Sequence, residues 1–206
     1  MKISNSKLFF KSIFIAGCFF ICTSANAQNW DINLLRSINP QQPNSFVWKG
    51  ATNSAYPVSV AIPVGIWIDA KVNHNKTNEY KAYTIAGSVI IAAGATEAMK
   101  IIFNRQRPFE KYNDVYPYQY ETGHSFPSGH AALAFATATS LSLEYKKWYV
   151  VVPAYAWAFG VGYSRLYLGE HYPTDVIGAA VTGAGSALLS HWISKKIFAP
   201  ASKIEK

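Results

Sequence analysis

Three short segments of this chain carry residue types that together suit phosphate chemistry. Between them they hold three cations, two histidines and one carboxylate: Lys100, Arg107, His130, Arg165, His171 and Asp175. When a phosphoryl group is transferred, negative charge spreads over three equatorial oxygens, so catalysis depends mainly on positioning and electrostatic stabilisation. An arginine fork matches two of these oxygens, and a lysine supplies a compact charge. We therefore predict that Lys100, Arg107 and Arg165 bind a phosphate group.

The two histidines differ in their neighbours, which predicts different roles. His171 precedes Asp175 by four residues, a spacing that places both on one face at the start of a helix. A carboxylate bonded to one imidazole nitrogen fixes the tautomer and stabilises the cation formed when the other nitrogen attacks. We predict that His171 is the nucleophile and that Asp175 orients it. His130 is then the general acid, which protonates the leaving oxygen and later activates water on a phosphohistidine.

The tetrapeptide Pro127-Ser128-Gly129-His130 is typical of a turn that enters a helix. Proline fits a first helical turn, and glycine lets the backbone approach a ligand closely. The N–H groups of Ser128 and Gly129, together with the Ser128 hydroxyl, are predicted to point at the anion, as free N–H groups at helix N-termini do. Taken alone, the tetrapeptide is more typical of a simple helix cap.

Two other chemistries would use some of the same side chains. A serine nucleophile would be Ser128 or Ser164, activated by a histidine, but Ser128 is better placed as a helix cap. A zinc site would draw on His124, His130 and His171, whose spacing matches no common zinc pattern. The chain has no carboxylate cluster suited to magnesium or calcium, and fixed cations can neutralise a phosphate, so we expect neither a metal nor a cofactor.

The composition points to a membrane environment. A length of 206 residues fits one domain. Apolar residues make up 50% of the chain and charged residues only 15%, against roughly 25% charged in an ordinary soluble domain. The net charge of +8 is spread over the N-terminal segment, the phosphate motifs and the flanks of apolar runs, and it forms no basic stripe. We therefore expect no nucleic-acid partner.

Five charge-poor segments lack the alternation of a strand and are rich in Ala, Leu, Ile and Gly, so they predict helices. They are residues 56–68, 82–103, 128–143, 149–163 and 176–193. The second and fifth reach the roughly 17 to 25 residues that a membrane span needs, whereas the other three are short enough for buried core helices. The glycines of the fifth segment are predicted to permit close helix packing: Gly178, Gly183 and Gly185.

Lysines cluster in alternate loops between these segments. They lie between the first and second segments, between the third and fourth, and after the fifth: Lys71, Lys76 and Lys81; Lys146 and Lys147; Lys195, Lys196, Lys203 and Lys206. An excess of cations in alternate loops marks the cytoplasmic side of a membrane protein. The sequence therefore predicts an all-α, membrane-embedded bundle of five or six helices in a bacterial inner membrane. The candidate site residues would all lie at the periplasmic helix ends.

The three segments together resemble the signature of the type 2 phosphatidic acid phosphatase superfamily, which also includes bacterial class A acid phosphatases and vanadium haloperoxidases. That signature is a lysine, six residues and Arg-Pro; then Pro-Ser-Gly-His; then Ser-Arg, five residues, His, three residues and Asp. The chain matches it at every position: Lys100 to Arg107-Pro108, Pro127 to His130, and Ser164-Arg165 with His171 and Asp175. The resemblance implies phosphohistidine chemistry at His171, acid catalysis by His130, and phosphate binding by Lys100, Arg107, Ser128, Gly129 and Arg165.

The sequence also predicts how the chain is organised. The apolar start and the small residues of Ala25-Asn26-Ala27 predict a cleaved signal peptide, with an uncleaved first membrane helix as the alternative. Cleavage there would remove both cysteines, so no disulfide or thiolate is expected in the mature protein. The predicted order is signal segment, periplasmic or interfacial segment, phosphatase-like domain and basic cytoplasmic tail: residues 1–27, 28–54, 55–195 and 196–206.

The function implied by the resemblance is that of a metal-independent phosphatase acting on a membrane lipid phosphate or diphosphate. Candidate substrates are undecaprenyl diphosphate, phosphatidylglycerophosphate, phosphatidic acid and the phosphates of lipid A. The alternatives are a soluble periplasmic acid phosphatase with the same site, a vanadate-dependent haloperoxidase, and a non-catalytic phosphate-binding membrane protein. Residues 104–126, which would form the headgroup cleft, contain no motif that selects one lipid, and the sequence contains none that sets an oligomeric state.

Overall fold

The computed structural model describes the chain from residue 24 to residue 202, with side chains from residue 30 to residue 198. Within that range the chain forms helices and no strand: α1, Ser24–Ile38; α2, Phe46–Val72; α3, Lys76–Phe103; α4, Pro108–Lys111; α5, Gly129–Tyr145; α6, Trp148–Tyr167; and α7, Pro173–Ser202. The all-α prediction is confirmed. The predicted signal segment lies almost entirely outside the described residues, as does the end of the basic tail, so both stay predictions.

Helix α5 lies at the centre of the bundle, with α2, α3, α6 and α7 packed around it. Every residue from Ala131 to Leu141 is buried, and many of these residues are alanines. Small side chains let the surrounding helices approach closely. Helix α5 is therefore a core helix. The sequence had allowed this, because the apolar run at residues 128–143 is short for a membrane span.

Large apolar side chains cover the outside of the bundle. Exposed examples occur on α2, α3, α6 and α7: Val60, Trp67, Ile90, Phe159, Val181 and Leu188. An apolar surface of this extent is unusual in water but suits lipid. Three helical stretches are also long and apolar enough to cross a membrane: Phe46–Val72, Lys76–Lys111 and Pro173–Phe198. The protein is thus a membrane-embedded helical bundle, as predicted.

Helix α2 is longer than the sequence pattern indicated. The apolar run begins at residue 56 and carries Pro57 and Pro63, whereas the helix begins at Phe46 and continues through both prolines to Val72. Prolines are tolerated in a membrane helix because neighbouring helices and polar side chains satisfy the backbone groups that they leave free. Residues 46–54, which were predicted to be part of a periplasmic or interfacial segment, therefore form the first turns of α2.

The described lysines of the loop clusters and the phosphate motifs lie at opposite ends of the bundle. Lys76 begins α3 and Lys100 lies in its last turn, about 36 Å away along the axis of a regular helix. At the Lys76 end, the ammonium group of Lys81 lies over the ring of Tyr145, 4.5 Å from its centroid. This contact joins the start of α3 to the end of α5. Loops that the lysine pattern assigned to one side of the membrane therefore share one end of the structure.

Gly183 lies at a close approach of α7 to α5. A Cβ atom at this position would lie 2.4 Å from the carbonyl oxygen of Ala132 and 2.7 Å from the backbone nitrogen of Ala136. A Cβ atom on Gly178 would lie 2.4 Å from the ring of Phe126, so this glycine permits close packing against the loop before α5 and not against a helix. The prediction is wrong for Gly185, where no heavy atom of the described chain lies within 4 Å of such a Cβ.

Gly183→Ala is therefore expected to destabilise the bundle, because the backbone of α5 has little room to move away from the added methyl group. Overpacking a core costs about 1–3 kcal/mol, which should lower the midpoint of thermal unfolding in detergent by several degrees. Gly185→Ala is the matched control on the same helix and should leave the midpoint unchanged or raise it, since its methyl group enters open space. Equal midpoints for the two variants would contradict the close contact.

Candidate active site

The predicted site residues lie together at one end of the bundle, mostly at helix ends. They occupy the last turn of α3, the residues just before α4 and α5, the last turn of α6 and the first turn of α7: Lys100, Arg107, Ser128, Arg165 and Asp175. His171 lies in the short connection between α6 and α7. The backbone N–H of Ser128 donates to the carbonyl oxygen of Asp175 at 3.2 Å, which joins the second motif directly to the third.

His171 is buried between a carboxylate and a guanidinium group. Its Nδ1 lies 3.5 Å from Oδ2 of Asp175, and its Nε2 lies 3.5 Å from a terminal nitrogen of Arg107. Burial, together with the nearby Arg165 and Arg107, lowers the pKa of His171 to about 4, although Asp175 opposes that shift. The imidazole is therefore uncharged at neutral pH. With Nδ1–H turned toward Asp175, Nε2 keeps its lone pair on the Arg107 side.

Asp175 is fully buried and held by several donors. Its Oδ2 accepts from the backbone N–H of Tyr172 at 2.9 Å and from the hydroxyl of Ser125. Its Oδ1 accepts from a terminal nitrogen of Arg105 at 2.5 Å. A carboxylate with so many donors is fixed in place, so it can hold the imidazole of His171 in one orientation. The motif identified Asp175, but no pattern in the sequence indicated Arg105 or Ser125.

The guanidinium groups of Arg107 and Arg165 face the same carboxylate. Glu121 Oε2 lies 2.9 Å from a terminal nitrogen of Arg107, and its Oε1 lies 2.7 Å from a terminal nitrogen of Arg165. Both arginines are almost completely buried, with 2% and 1% of their surface exposed. Two oxygens of one carboxylate therefore bridge the two arginines, in the way expected for two oxygens of a phosphate group. Sequence reasoning missed Glu121, which lies in a loop that has no motif.

A second acid, Glu170, contacts Arg165 directly. Burial and the neighbouring Glu121 carboxylate raise the pKa of Glu170, whereas Arg165 and Arg107 hold the pKa of Glu121 well below its usual range against the effect of burial. Glu121 is thus the charged acid of the pair. It supplies the main negative charge opposite the two buried guanidinium groups.

The start of α5 holds Ser128 and Gly129. The Ser128 hydroxyl is buried and has no hydrogen-bond partner among the described residues, so it is available to a ligand. Its N–H, in contrast, is not free for an anion as predicted, because it donates to the backbone of Asp175. A Cβ atom on Gly129 would lie 3.9 Å from Nζ of Lys100, which places this lysine beside the N-terminus of α5.

Helix α2 forms a wall of the site that the motifs did not indicate. The ring of Tyr56 packs edge-on against His130, with 4.6 Å between the ring centroids. One turn earlier, the hydroxyl of Thr52 accepts from a terminal nitrogen of Arg165 at 2.6 Å. Helix α2 therefore touches residues of both the second and the third motif, and it half-buries the predicted general acid.

A sequence model of the type 2 phosphatidic acid phosphatase (PAP2) superfamily matches residues 81–199, more than half of the chain. This chain belongs to the PAP2 superfamily. The matched residues include all three PAP2 motifs, and the resemblance seen in the sequence is confirmed. They do not include α1 and α2, although α2 lines the site.

Two curated relatives carry names that describe their substrates. The chain is 35% identical to the undecaprenyl-diphosphatase of Sulfolobus acidocaldarius over 124 residues. This stretch covers 60% of this chain and 59% of that protein. It is 39% identical to the lipid A 4'-phosphatase of Bacteroides thetaiotaomicron over 77 residues. This stretch covers 37% of this chain and 34% of that protein. The match thus spans between about a third and three fifths of these relatives.

The fold of this PAP2 protein is that of a known membrane enzyme. A crystal structure of a transmembrane PAP2-type phosphatidylglycerolphosphate phosphatase from Bacillus subtilis superposes with a TM-score of 0.68, over 93% of this chain and 96% of that one. At 23% sequence identity this likeness shows the fold alone. It agrees with the predicted membrane bundle.

His171 is expected to stay uncharged well below neutral pH. Its pKa is lowered from the ordinary 6.5 to about 4, so the neutral form persists as the pH falls and is lost only near pH 4. Nitrogen-15 NMR of histidine-labelled protein in detergent measures this titration, with the His171 signal assigned by its absence in His171→Ala. A His171 signal that titrates near pH 6.5 would contradict the buried position between Asp175 and Arg107.

Proposed function

We propose that this chain is a bacterial inner-membrane phosphatase that removes phosphate from a lipid phosphate or diphosphate through a phosphohistidine at His171. One observation carries the proposal. The buried, uncharged imidazole lies between Asp175 and Arg107, beside a pair of arginines already arranged around a two-oxygen anion. The names of the relatives, an undecaprenyl-diphosphatase and a lipid A 4'-phosphatase, agree with a lipid phosphate substrate.

The chemistry proceeds in two steps. Burial and the nearby Arg165 lower the pKa of His130 to about 3, so His130 takes up a proton only together with the phosphate dianion, whose charge raises that pKa. In the first step, Nε2 of His171 attacks phosphorus while the bond to the leaving oxygen breaks, and the protonated His130 donates its proton to that oxygen. The phosphorylated imidazole, protonated at Nδ1, is stabilised by Asp175. In the second step, His130 takes a proton from water and the water oxygen bonds to phosphorus. The phosphorus–nitrogen bond then breaks, which regenerates His171 and releases inorganic phosphate.

The phosphate oxygens are bound by cations and by the start of α5. These groups are Lys100, Arg107, Ser128, Gly129 and Arg165. Charges in a buried site act through a low dielectric, so fixed guanidinium groups stabilise the transition state strongly without reorganisation. The carboxylate of Glu121 has to leave the two arginines before a phosphate can take the same donors. The scheme needs no metal ion or cofactor.

A site that faces the periplasm is supported by the two ends of the bundle. The lysines of the alternate loops that the structure describes, such as Lys76 and Lys81, lie at the far end, which the positive-inside rule assigns to the cytoplasm. At the site end, Ile101, Ile102 and Phe103 follow Lys100 directly and are largely exposed. An outer-leaflet lipid would present its phosphate at this level while its chains contact that apolar surface. The same surface favours a membrane enzyme over a soluble acid phosphatase.

His171→Ala should abolish hydrolysis because it removes the attacking nitrogen. His130→Asn should slow turnover by about 10²- to 10⁴-fold, which is the usual contribution of a general acid. The measurement is inorganic phosphate released from a panel of lipid phosphates in detergent, which also identifies the preferred lipid.

The control for these variants is His191→Ala. His191 pairs with Glu144 at the opposite end of the bundle, at 2.7 Å, and its replacement should leave turnover unchanged. Hydrolysis that persists in His171→Ala would mean that another group attacks phosphorus. Halide oxidation on addition of vanadate would favour the haloperoxidase alternative instead.

Glu121→Gln should tighten the binding of orthovanadate, which mimics five-coordinate phosphorus, because a neutral amide competes less well for Arg107 and Arg165. We expect the inhibition constant to fall about tenfold, or about 1.4 kcal/mol. Asp114→Asn is the matched control. Asp114 lies in the same loop as Glu121, and its replacement removes the same charge from an exposed ion pair with Arg36 of α1. Weaker vanadate binding in Glu121→Gln would mean that Glu121 supports the arginines and does not compete for them.

A further inference from the structure

Asp31 lies on α1, ahead of the residues that match the PAP2 superfamily, yet it is buried beside the site. Only 2% of it is exposed, and α1 packs against α6 and α7. Its Oδ1 accepts the backbone N–H of Thr174 at 2.9 Å, and its Oδ2 accepts the Thr174 hydroxyl at 2.6 Å. A carboxylate of α1 thereby caps the start of α7, one residue before Asp175.

Arg105 joins Asp31 to Asp175. One terminal nitrogen donates to Oδ2 of Asp31 at 2.6 Å. The other donates to Oδ1 of Asp175 at 2.5 Å and to the hydroxyl of Thr174 at 2.7 Å. The guanidinium group also stacks over the ring of Tyr172, with 3.9 Å between Cζ and the ring centroid. Hydrogen bonds and stacking together hold the planar group in one position.

Arg105 and His171 therefore meet the same carboxylate from two sides. Arg105 binds Oδ1 of Asp175, and His171 faces Oδ2. The negative charge that Asp175 offers to the imidazole depends on how far Arg105 neutralises it. Asp31 also binds Arg105 and neutralises part of its positive charge, so Asp31 leaves Asp175 with more of its negative charge. The terminal nitrogens of Arg105 point to these acids and not to the carboxylate that bridges the two phosphate-binding arginines.

We infer that Asp31 and Arg105 are positioning residues for hydrolysis, which act through Asp175 on the orientation and the charge surroundings of His171. The inference rests on the proposed function. It extends the working site beyond the PAP2 match, since a helix ahead of residue 81 supplies part of the support for the nucleophile.

The two residues carry opposite charges, so their removal should have opposite electrostatic effects. Arg105→Gln leaves Asp175 with its full negative charge, which favours the protonated imidazole of His171 and raises its pKa. Asp31→Asn frees Arg105 to neutralise Asp175 further, which lowers that pKa. The other charged and titratable groups that face His171 are unchanged in both variants, as is Glu170 behind Arg165: Arg107, Glu121, His130 and Arg165.

The experiment is steady-state hydrolysis of a short-chain lipid phosphate in detergent across a range of pH. For Arg105→Gln and Asp31→Asn we expect kcat to fall roughly tenfold to a hundredfold, as when partners that orient ligating histidines are removed. KM should stay within about threefold, because the phosphate donors are intact. The acid limb of kcat/KM should move up by about 0.5–1 pH unit in Arg105→Gln and down in Asp31→Asn.

Two further variants separate positioning from general damage. Arg105→Lys keeps the charge, so its acid limb should stay near the wild-type position and part of kcat should return. Asp114→Asn removes an acid whose ion pair also links this region to α1, through Arg36. It should leave kcat, KM and the acid limb unchanged.

The outcomes distinguish the inference from the proposed function. If His171→Ala hydrolyses lipid phosphates as fast as wild type, the proposed function fails. If His171→Ala is inactive while Arg105→Gln and Asp31→Asn keep the wild-type kcat, or move the acid limb in the same direction, the positioning role is overturned and the function stands. Should Arg105→Gln fail to fold, Asp31→Asn decides the matter, since it keeps an acceptor for the Thr174 N–H. An unchanged kcat and an unshifted limb in Asp31→Asn would then overturn the role.

Discussion

Two buried arginines are the constraint on which the site depends. Arg107 and Arg165 have almost no contact with solvent, and a buried charge without a counter-ion is strongly unfavourable. Without substrate, the counter-charge comes from Glu121, with Glu170 close by. For the proposed reaction the same arrangement is favourable, because a phosphate that displaced Glu121 would meet donors that are already desolvated and held in position.

The bundle brings these charges together because several helices end at the same level around one narrow core. Small residues along α5 let α2, α3, α6 and α7 approach it closely, so the loops at their ends are within hydrogen-bonding reach of each other. The bond from the N–H of Ser128 to the carbonyl oxygen of Asp175 then ties the start of α5 to the start of α7. Packing in the apolar layer thus fixes the geometry of a polar layer.

The motif residues could be singled out because their types suit phosphate chemistry and because their spacing resembles the PAP2 signature. Glu121, Arg105 and Asp31 could not, since their partners are far away in the chain and such contacts leave no periodic pattern in a sequence. The start of α2 could not be predicted for a different reason: residues 46–55 include Lys49, Gly50 and Asn53, so they lack the apolar run that marks the rest of the helix. The prediction that the N–H of Ser128 faces an anion is wrong, because this N–H donates to the backbone carbonyl of Asp175. A side-chain motif does not reveal such a backbone contact.

Helix α2 touches His130 through Tyr56 and Arg165 through Thr52, but it lies ahead of the segment that defines the superfamily. The reacting groups and the surface they look onto are therefore encoded in separate stretches of the chain. Under the proposed function, changes in α2 would alter the wall beside the reacting groups while those groups stay as they are. The wall of the site and its proposed chemistry would in that sense be free to change independently of each other.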